Sequence, residues 1–444
     1  MSSIQFDIAI HNATVLCFLN NRVQKVETNI GLLNGKIHTL SNSSLDARAK
    51  INAKHLHVLP GVIDSQVHFR EPGMTHKEDL ETGTRSALMG GVTSVFEMPN
   101  TNPPTTTAAL LQEKFNRAEN RCWTNYAFFV GASSDNAETL GELESIPGCS
   151  GVKVFMGSST GNLLAEDDVL VEKILRHGRK RVIVHSEDEF RMRERKHIAI
   201  EGQNVNLHHV WRDAESALLS TKRLIHLARK TNRPVHILHI STKEEMDFLK
   251  DHKDICTVEV LPNHLSLFAP DCYDRLGTLA QQNPPIREKH HMEALWKALQ
   301  NGLVDVIGSD HAPHTLEEKM KPYPSSPSGT PGVQTLVPIM LNHVHQQKLS
   351  LENFVELVGE GPRKVFGCLQ KGRIQQGLDA DLTIVDLKKT RKIENKWIQS
   401  RTGWTPFDGM TTTGWPTHAI VNGQLCLEED QILNEPCGQK VLFT

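Results

Sequence analysis

Six short segments of this chain end apolar runs with side chains able to bind a metal or move a proton. They are Asp64-Ser65-Gln66-Val67-His68-Phe69-Arg70, Met98-Pro99-Asn100-Thr101, Gly151-Val152-Lys153-Val154-Phe155-Met156, Val184-His185-Ser186-Glu187-Asp188, Leu238-His239-Ile240-Ser241-Thr242 and Gly308-Ser309-Asp310-His311-Ala312-Pro313-His314. Taken singly, each has an ordinary explanation. A histidine at a strand end is commonly just hydrogen-bonded, Lys153 can snorkel to a rim, and Asp310 can cap a helix. Taken together, imidazoles, a lysine and a carboxylate at strand ends that converge in space are what a divalent metal site requires. Imidazole and carboxylate suit Zn2+, and a catalytic site keeps one position open for water.

The elements that must bring these groups together are legible as rhythm. Apolar β runs near His57–Asp64, Val92–Met98, Tyr126–Gly131, Gly151–Met156, Arg181–His185, Pro234–His239, Cys256–Leu261 and Val304–Ser309 alternate with helical stretches, such as Asp213–Lys230 and His290–Leu303. Eight such units predict an α/β fold, a (β/α)8 TIM-type barrel over residues 59–370 with active groups at the C-terminal strand ends. A doubly wound open sheet is the rival, but no G-x-G-x-x-G follows the first strand. Residues 1–58 and 371–444 read as β-structure, with hairpin signals at Asn34-Gly35 and Asn422-Gly423. The two chain ends are expected to share one small β-sandwich module. The Pro-, Ser- and Gly-rich stretch Pro322–Gly332 is either a mobile lid or a long connection.

Composition removes several classes. The formal net charge is −3 with no basic block, so nothing recommends a nucleic-acid partner. No apolar run is long enough for a membrane span, and Met1–Asp7 lacks a leader pattern. The eight cysteines are scattered without a C-x-x-C pair, which favours a reducing cytoplasm over a disulfide framework. The 23 histidines are the unusual count.

Three motifs are similar to those of dihydroorotases, within the amidohydrolase superfamily: VHFREPG at 67–73, MPNT at 98–101 and DHAPHT at 310–315. The stretch Lys371-Gly372-Arg373-Ile374 to Gly377-Leu378-Asp379-Ala380-Asp381-Leu382 resembles the family's return to its β module, so the likeness spans nearly the whole chain. Hydantoinases and allantoinases share the scaffold but generally lack the arginine placed as Arg70 is. The resemblance implies reversible, metal-dependent interconversion of N-carbamoyl-L-aspartate and L-dihydroorotate, in de novo pyrimidine biosynthesis. A hydantoinase- or dihydropyrimidinase-like activity is the alternative within the same scaffold. The resemblance also implies one or two Zn2+ per chain. His68 and Asp310 would touch the first ion, His185 and His239 the second, and Lys153 would bridge both as a carbamate formed from CO2. Asp310 would shuttle the proton. Arg70, Asn100 and His314 would bind the substrate carboxylate, with further contacts from Asn283 and the Pro331–Gly332 backbone. A homodimer is implied, and so is association with aspartate transcarbamoylase, a role that some non-catalytic dihydroorotase-like chains serve.

One departure stands out. The family usually has D-x-H-x-H at strand one, and Gln66 replaces the first histidine. Amide oxygen is a poorer Zn2+ ligand than imidazole, so Gln66 is read as a weak or absent ligand. The choices are a weaker first metal, a one-metal enzyme, or lost catalysis. Asp64 is expected to steady a ligand or cap a turn. His76, His236, His264 and His311 are expected to be structural. Arg212 either lines the mouth or pairs with Glu215, and Cys256 is expected to be buried filler.

Overall fold

The computed structural model describes residues 5–157 and 163–444; the first four residues of the segment read for a leader lie outside them. Eight parallel strands follow one another round a sheet: Val62–Val67, Val92–Glu97, Asn125–Gly131, Cys149–Phe155, Val182–His185, Val235–Ile237, Cys256–Val260 and Val306–Ile307. The circle closes where Val67 bridges His311 in parallel and His68 N–H donates to the His311 carbonyl at 2.7 Å. The barrel predicted from the sequence is therefore present.

Period-two alternation sorts the side chains of the later strands. Val152, Val154, Val182, Val184, Val235, Ile237, Val258 and Val260 face the surrounding helices and join their core. The residues between them, Lys153, Ile183, His185, His236 and Glu259, take the opposite face, and Ile183 pairs in register with both Lys153 and His236. The barrel interior carries Ile63, Phe96, Ala127, Phe129 and Ile183, plugged by Val365 and Phe366. Phe366 meets Phe96 edge-on at 5.4 Å. His236, bonded to Thr257 at 2.8 Å, lies beside this plug, and the other polar groups of the interior face gather at the mouth. The helices begin on side-chain caps: Asp213 starts Ala214–Thr231 by accepting from Ser216 N–H, and Asn232 ends it in the left-handed conformation.

The second sheet is largely antiparallel and takes strands from both chain ends, with His57–Pro60 lying between Phe6–Leu19 and Leu382–Lys392. It curls on itself. The Asn34-Gly35 and Asn422-Gly423 turns both have positive φ at their central residues, and they meet, with a Cβ on Gly35 landing 3.1 Å from the Asn422 carbonyl. Ile10, Ile30, Ile37, Leu382, Ile384 and Ile420 fill the space enclosed.

The first barrel strand differs from the sequence reading. His57–Asp64 is not one strand: His57–Pro60 belongs to the curled sheet and Val62–Val67 to the barrel. Gly61 makes the break, because a Cβ there would lie 2.2 Å from Thr93 Oγ1 and 2.8 Å from Asp381 Cβ. Only a residue without a side chain lets the two sheets approach this closely. The Pro322–Gly332 stretch is a braced connection. Lys319, fully buried, donates to the carbonyls of Gln281 and Pro327, each at 2.9 Å. Gln281 binds Ser326 and Ser328, and Thr330 O accepts from Ala312 N–H.

Gly61→Ala should lower stability by about 1–3 kcal/mol through overpacking, seen as a lower urea midpoint. An unchanged midpoint would show that the junction can spread.

Candidate functional site

The site stands at the C-terminal mouth of the barrel, where strand ends and the loops after them deliver the polar groups. Three of these residues hold left-handed backbone, Arg70 (φ 63), His239 (φ 38) and Asp310 (φ 46). Such conformations cost about 1–3 kcal/mol each for residues with side chains and collect at functional sites. Here they turn the side chain that follows each strand back over the barrel axis.

His68 is fixed by Asn100, whose Oδ1 lies 2.7 Å from Nδ1. Asn100 Oδ1 is an acceptor, so the imidazole proton sits on Nδ1 and the lone pair on Nε2. That lone pair looks directly at Asp310 Oδ1, 3.0 Å away. His185 repeats the device. Its Nε2–H donates to Glu187 Oε2 at 2.9 Å, leaving the Nδ1 lone pair 3.0 Å from His239 Nε2. Burial pulls both His68 and His185 below the usual histidine range, although Asp310 and Glu187 respectively pull them back up. Burial pushes the Asp310 carboxyl up, but contact with His68, together with His239 and Lys153, outweighs it and holds the group below the usual carboxylate range.

His68 Nε2 and Asp310 Oδ1 are facing acceptors and call for a cation, and the neighbouring His185 Nδ1 accepts from His239 Nε2–H, whose other nitrogen is buried without a partner. That chemistry fits a divalent metal held by His68 and Asp310 on one side and by His185 and His239 on the other. Gln66 fits less well. Its Nε2 donates to Asp310 Oδ1 at 2.9 Å, and its Oε1 is buried without a hydrogen bond. An amide N–H occupies the carboxylate oxygen that a metal would share, and the free amide oxygen is the atom that could ligate.

Lys153 stands one strand from His185, fully buried, with Nζ 4.6 Å from the centre of the Phe155 ring. Burial lowers it from 10.5 to about 7, against the pull of Asp310 and Glu259. A substantial neutral fraction at neutral pH is what attack on CO2 requires.

Arg70 is 2% exposed. Its Nε donates to the Pro313 carbonyl at 3.2 Å, and its Nη2 lies 3.3 Å from His314 Nε2. His314 Nε2–H points at the Ser328 carbonyl at 3.1 Å, and Nδ1 accepts from Lys77 Nζ at 3.0 Å. Burial, with the charges of Arg70, Lys77 and Lys319, keeps this imidazole neutral. Arg70, Asn100 and His314 are thus brought together beside His68 and Asp310. Asn283 is held by His208, whose Nε2 is 3.0 Å from Asn283 Oδ1. The Gly332 N–H is turned to His311 Nδ1 at 3.1 Å, so this part of the expected Pro331–Gly332 contact is already engaged.

The secondary readings resolve similarly. Asp64 Oδ1 accepts from the N–H groups of Gln66 and Ser309, tying strand one to the turn that carries Asp310. His236, His264 and His311 are buried with protein partners, and His76 is on the surface beside Glu318. Cys256 is buried, with its thiol pushed up to about 11 by burial. Arg212 makes a buried ion pair with Glu187.

That pair was missed in the sequence, together with Glu259. Glu259 Oε1 accepts from His239 N–H at 3.3 Å and Oε2 from Ser65 Oγ at 3.4 Å, so it props the left-handed turn at His239. The available signal was parity: Glu187 is two residues from His185, and Glu259 alternates with Val258 and Val260. Lys77 had no such signal.

Strand-end ligand groups on a (β/α)8 barrel with a curled β module define a barrel hydrolase. The chain belongs to the amidohydrolase family, whose model matches residues 57–426. It is 32% identical over 436 residues to the dihydroorotase of Methanothermobacter thermautotrophicus, covering 96% of each chain. It is 32% identical over 420 residues to the dihydroorotase of Pyrococcus furiosus, covering 94% of this chain and 93% of that one. Among solved structures, the L-hydantoinase (dihydropyrimidinase) of Arthrobacter aurescens matches with a TM-score of 0.93 at 28% identity, over 99% of this chain and 100% of that one. The dihydropyrimidinase of Brevibacillus agri matches with a TM-score of 0.88 at 25% identity, over 96% of each.

Two measurements follow from the site. Between about pH 7 and 10.5 the unfolded chain carries a proton on residue 153 that the fold excludes, so this site's penalty on stability shrinks as pH rises. Metal-free protein should therefore gain roughly 1.4 kcal/mol per pH unit relative to Lys153→Met between pH 7 and 9, measured by urea unfolding. A flat difference would mean that Lys153 stays protonated when buried. Separately, Glu187→Gln keeps the shape but drops the charge behind His185. It should weaken Zn2+ binding about 10–100-fold in chelator competition, and unchanged affinity would place the control of the His185 tautomer elsewhere.

Proposed function

We propose that this chain is a dihydroorotase, opening and closing the ring between L-dihydroorotate and N-carbamoyl-L-aspartate. The chain is a cyclic amide hydrolase, and the choice of substrate within that class rests on one observation. A buried guanidinium, Arg70, stands beside His314 and beside the Asn100–His68 pair, within the same pocket as Asp310. An enzyme for uncharged rings has no use for an arginine buried there. A substrate with a free carboxylate matches its planar fork.

His68, Asp310, His185, His239 and a carbamate on Lys153 would hold the metal, with Gln66 contributing weakly or not at all. When bound, a divalent ion such as Zn2+ lowers the pKa of water and polarises the ring carbonyl. Arg70 and Asn100 orient the ring by its carboxylate, so that one carbonyl carbon faces the attacking water, and His314 joins them by releasing its Nε2–H from the Ser328 carbonyl. Asp310 takes a proton from that water as the new C–O bond forms. It returns a proton to the ring nitrogen as the C–N bond breaks. Asp310, held below the usual carboxylate range, is ionised and able to accept the water's proton, and its contacts with Gln66 and His68 fix the direction of its free lone pairs. Burial of the pocket excludes bulk water from the charged groups.

The likeness to hydantoinase and dihydropyrimidinase structures favours a second reading, in which the preferred ring lacks the carboxylate. Hydrolysis of dihydroorotate, hydantoin and dihydrouracil by the same zinc-supplied sample separates the two. Dihydroorotate should be preferred. Arg70→Met should lower its kcat/KM by about 10²–10³ without affecting any residual hydantoin turnover, while Asp310→Asn abolishes both. Equal rates on uncarboxylated rings, or indifference to Arg70→Met, would overturn the dihydroorotase reading.

A further inference from the structure

On the far side of the molecule's chemistry, two thiols touch. Cys426 Sγ and Cys437 Sγ are 3.2 Å apart, and both are free. Among the described residues no other two of the eight cysteines are in sulfur–sulfur contact. A disulfide of about 2.05 Å needs a closure of only about 1.2 Å.

Both sulfurs are held where they are. Cys426 lies at an irregularity of its hairpin, where the register passes from Ala419↔Leu427 to Ile420↔Leu425 and leaves it as the extra residue. The bulge turns it toward the segment that follows the hairpin. Cys437 is anchored through its carbonyl, which accepts from Asn422 Nδ2 at 2.9 Å. The next residue, Gly438, donates to the Cys122 carbonyl at 2.9 Å and lies so close to the Thr124 carbonyl that an added Cβ would be 2.0 Å from it. From there the chain runs beside the barrel strand Asn125–Gly131: Tyr126 N–H donates to Gln439, Val441 N–H to Tyr126, and Leu369 N–H to Leu442. Residues 437–443 are therefore a strap from the curled sheet to the barrel.

We propose that Cys426 and Cys437 form a thiol–disulfide exchange site, which reacts with a small-molecule disulfide and closes to an internal bond fastening this strap. Cys437 is the entry point because it is partly exposed, whereas Cys426 is buried. Contact with Cys426, aided by Lys371, holds the Cys437 thiol down against burial and the charge of Asp381, and the same contact together with burial pushes Cys426 up. The Cys437 thiolate attacks one sulfur of the incoming disulfide and expels a thiolate. Cys426 then gives up its proton and attacks the Cys437 sulfur, expelling the second thiol. Two protein thiols are oxidised, one external disulfide is reduced, and no other oxidant is required. In a reducing compartment the pair rests as dithiol.

The test is to expose the native full-length protein to excess oxidised glutathione, then alkylate under denaturing conditions and map peptides by mass. Two of the eight thiols should be lost, with one 426–437 cross-link that dithiothreitol reverses. Cys437→Ser should retain all seven remaining thiols, and Cys426→Ser should trap one glutathione on Cys437. Matching thermal melts for both variants before oxidation would establish that they fold. Persistence of all eight thiols, a link between another pair, or a stable glutathione adduct on unsubstituted protein with Cys426 still alkylated would each overturn the proposal.

Discussion

At the buried mouth of the barrel a hydrogen-bond acceptor faces a carboxylate at 3.0 Å, His68 Nε2 against Asp310 Oδ1, and beside it His185 Nδ1 meets His239 Nε2 at the same distance. In a low-dielectric interior the first of these contacts repels unless positive charge sits between the partners. The rest of the mouth maintains both contacts. Asn100 and Glu187 occupy the other nitrogens of His68 and His185, so His68 cannot relieve its repulsion by changing tautomer and His185 keeps its lone pair on Nδ1. Arg212 holds Glu187 in turn, Glu259 props the His239 backbone, and Asp64 ties the two strands that carry Gln66 and Asp310.

Gln66 changes that balance on one side. An imidazole in its place would add a lone pair to the first cluster, whereas the amide supplies an N–H to Asp310. Part of the carboxylate's appetite for positive charge is thereby met by the protein itself. In the second cluster the donor to His185 Nδ1 is His239 itself, whose own Nδ1 is left without a partner. Asymmetry between the two halves of the site is thus written at a single position, and it leaves the groups that orient a carboxylate untouched.

Much of this was legible in the sequence, and the reason is periodicity. Parallel barrel strands buried on both faces read as apolar runs, and a polar residue interrupting one, as Lys153 interrupts Val152 and Val154, announces that its face is special. The Asn-Gly pairs at 34–35 and 422–423 were visible because two successive left-handed residues demand that chemistry. What stayed hidden depends on contacts between distant segments. The break at Gly61 is imposed by Thr93 and Asp381, and nothing local distinguishes it from a continuous strand. Arg212 joins Glu187 and not the helix neighbour at i+3, because the buried pocket offers a carboxylate in need of charge. The Pro322–Gly332 stretch has the composition of a lid, yet Lys319 and Gln281 brace it from segments that composition does not describe.

The curled sheet has a consequence for how the chain is made. His57–Pro60 must pair with Leu382–Lys392, more than 300 residues later. At a synthesis rate of about 5–20 residues per second, the early hairpins spend roughly 15–60 seconds with an open hydrogen-bonding edge and with Ile10, Ile30 and Ile37 short of their covering partners. Unpaired strand edges are sites of mispairing and aggregation. The barrel matures during that interval. Completion of the nascent protein therefore waits on a late docking event with a large entropic cost of loop closure, and crowding by neighbouring ribosomes on one message would be most hazardous before residue 382 emerges.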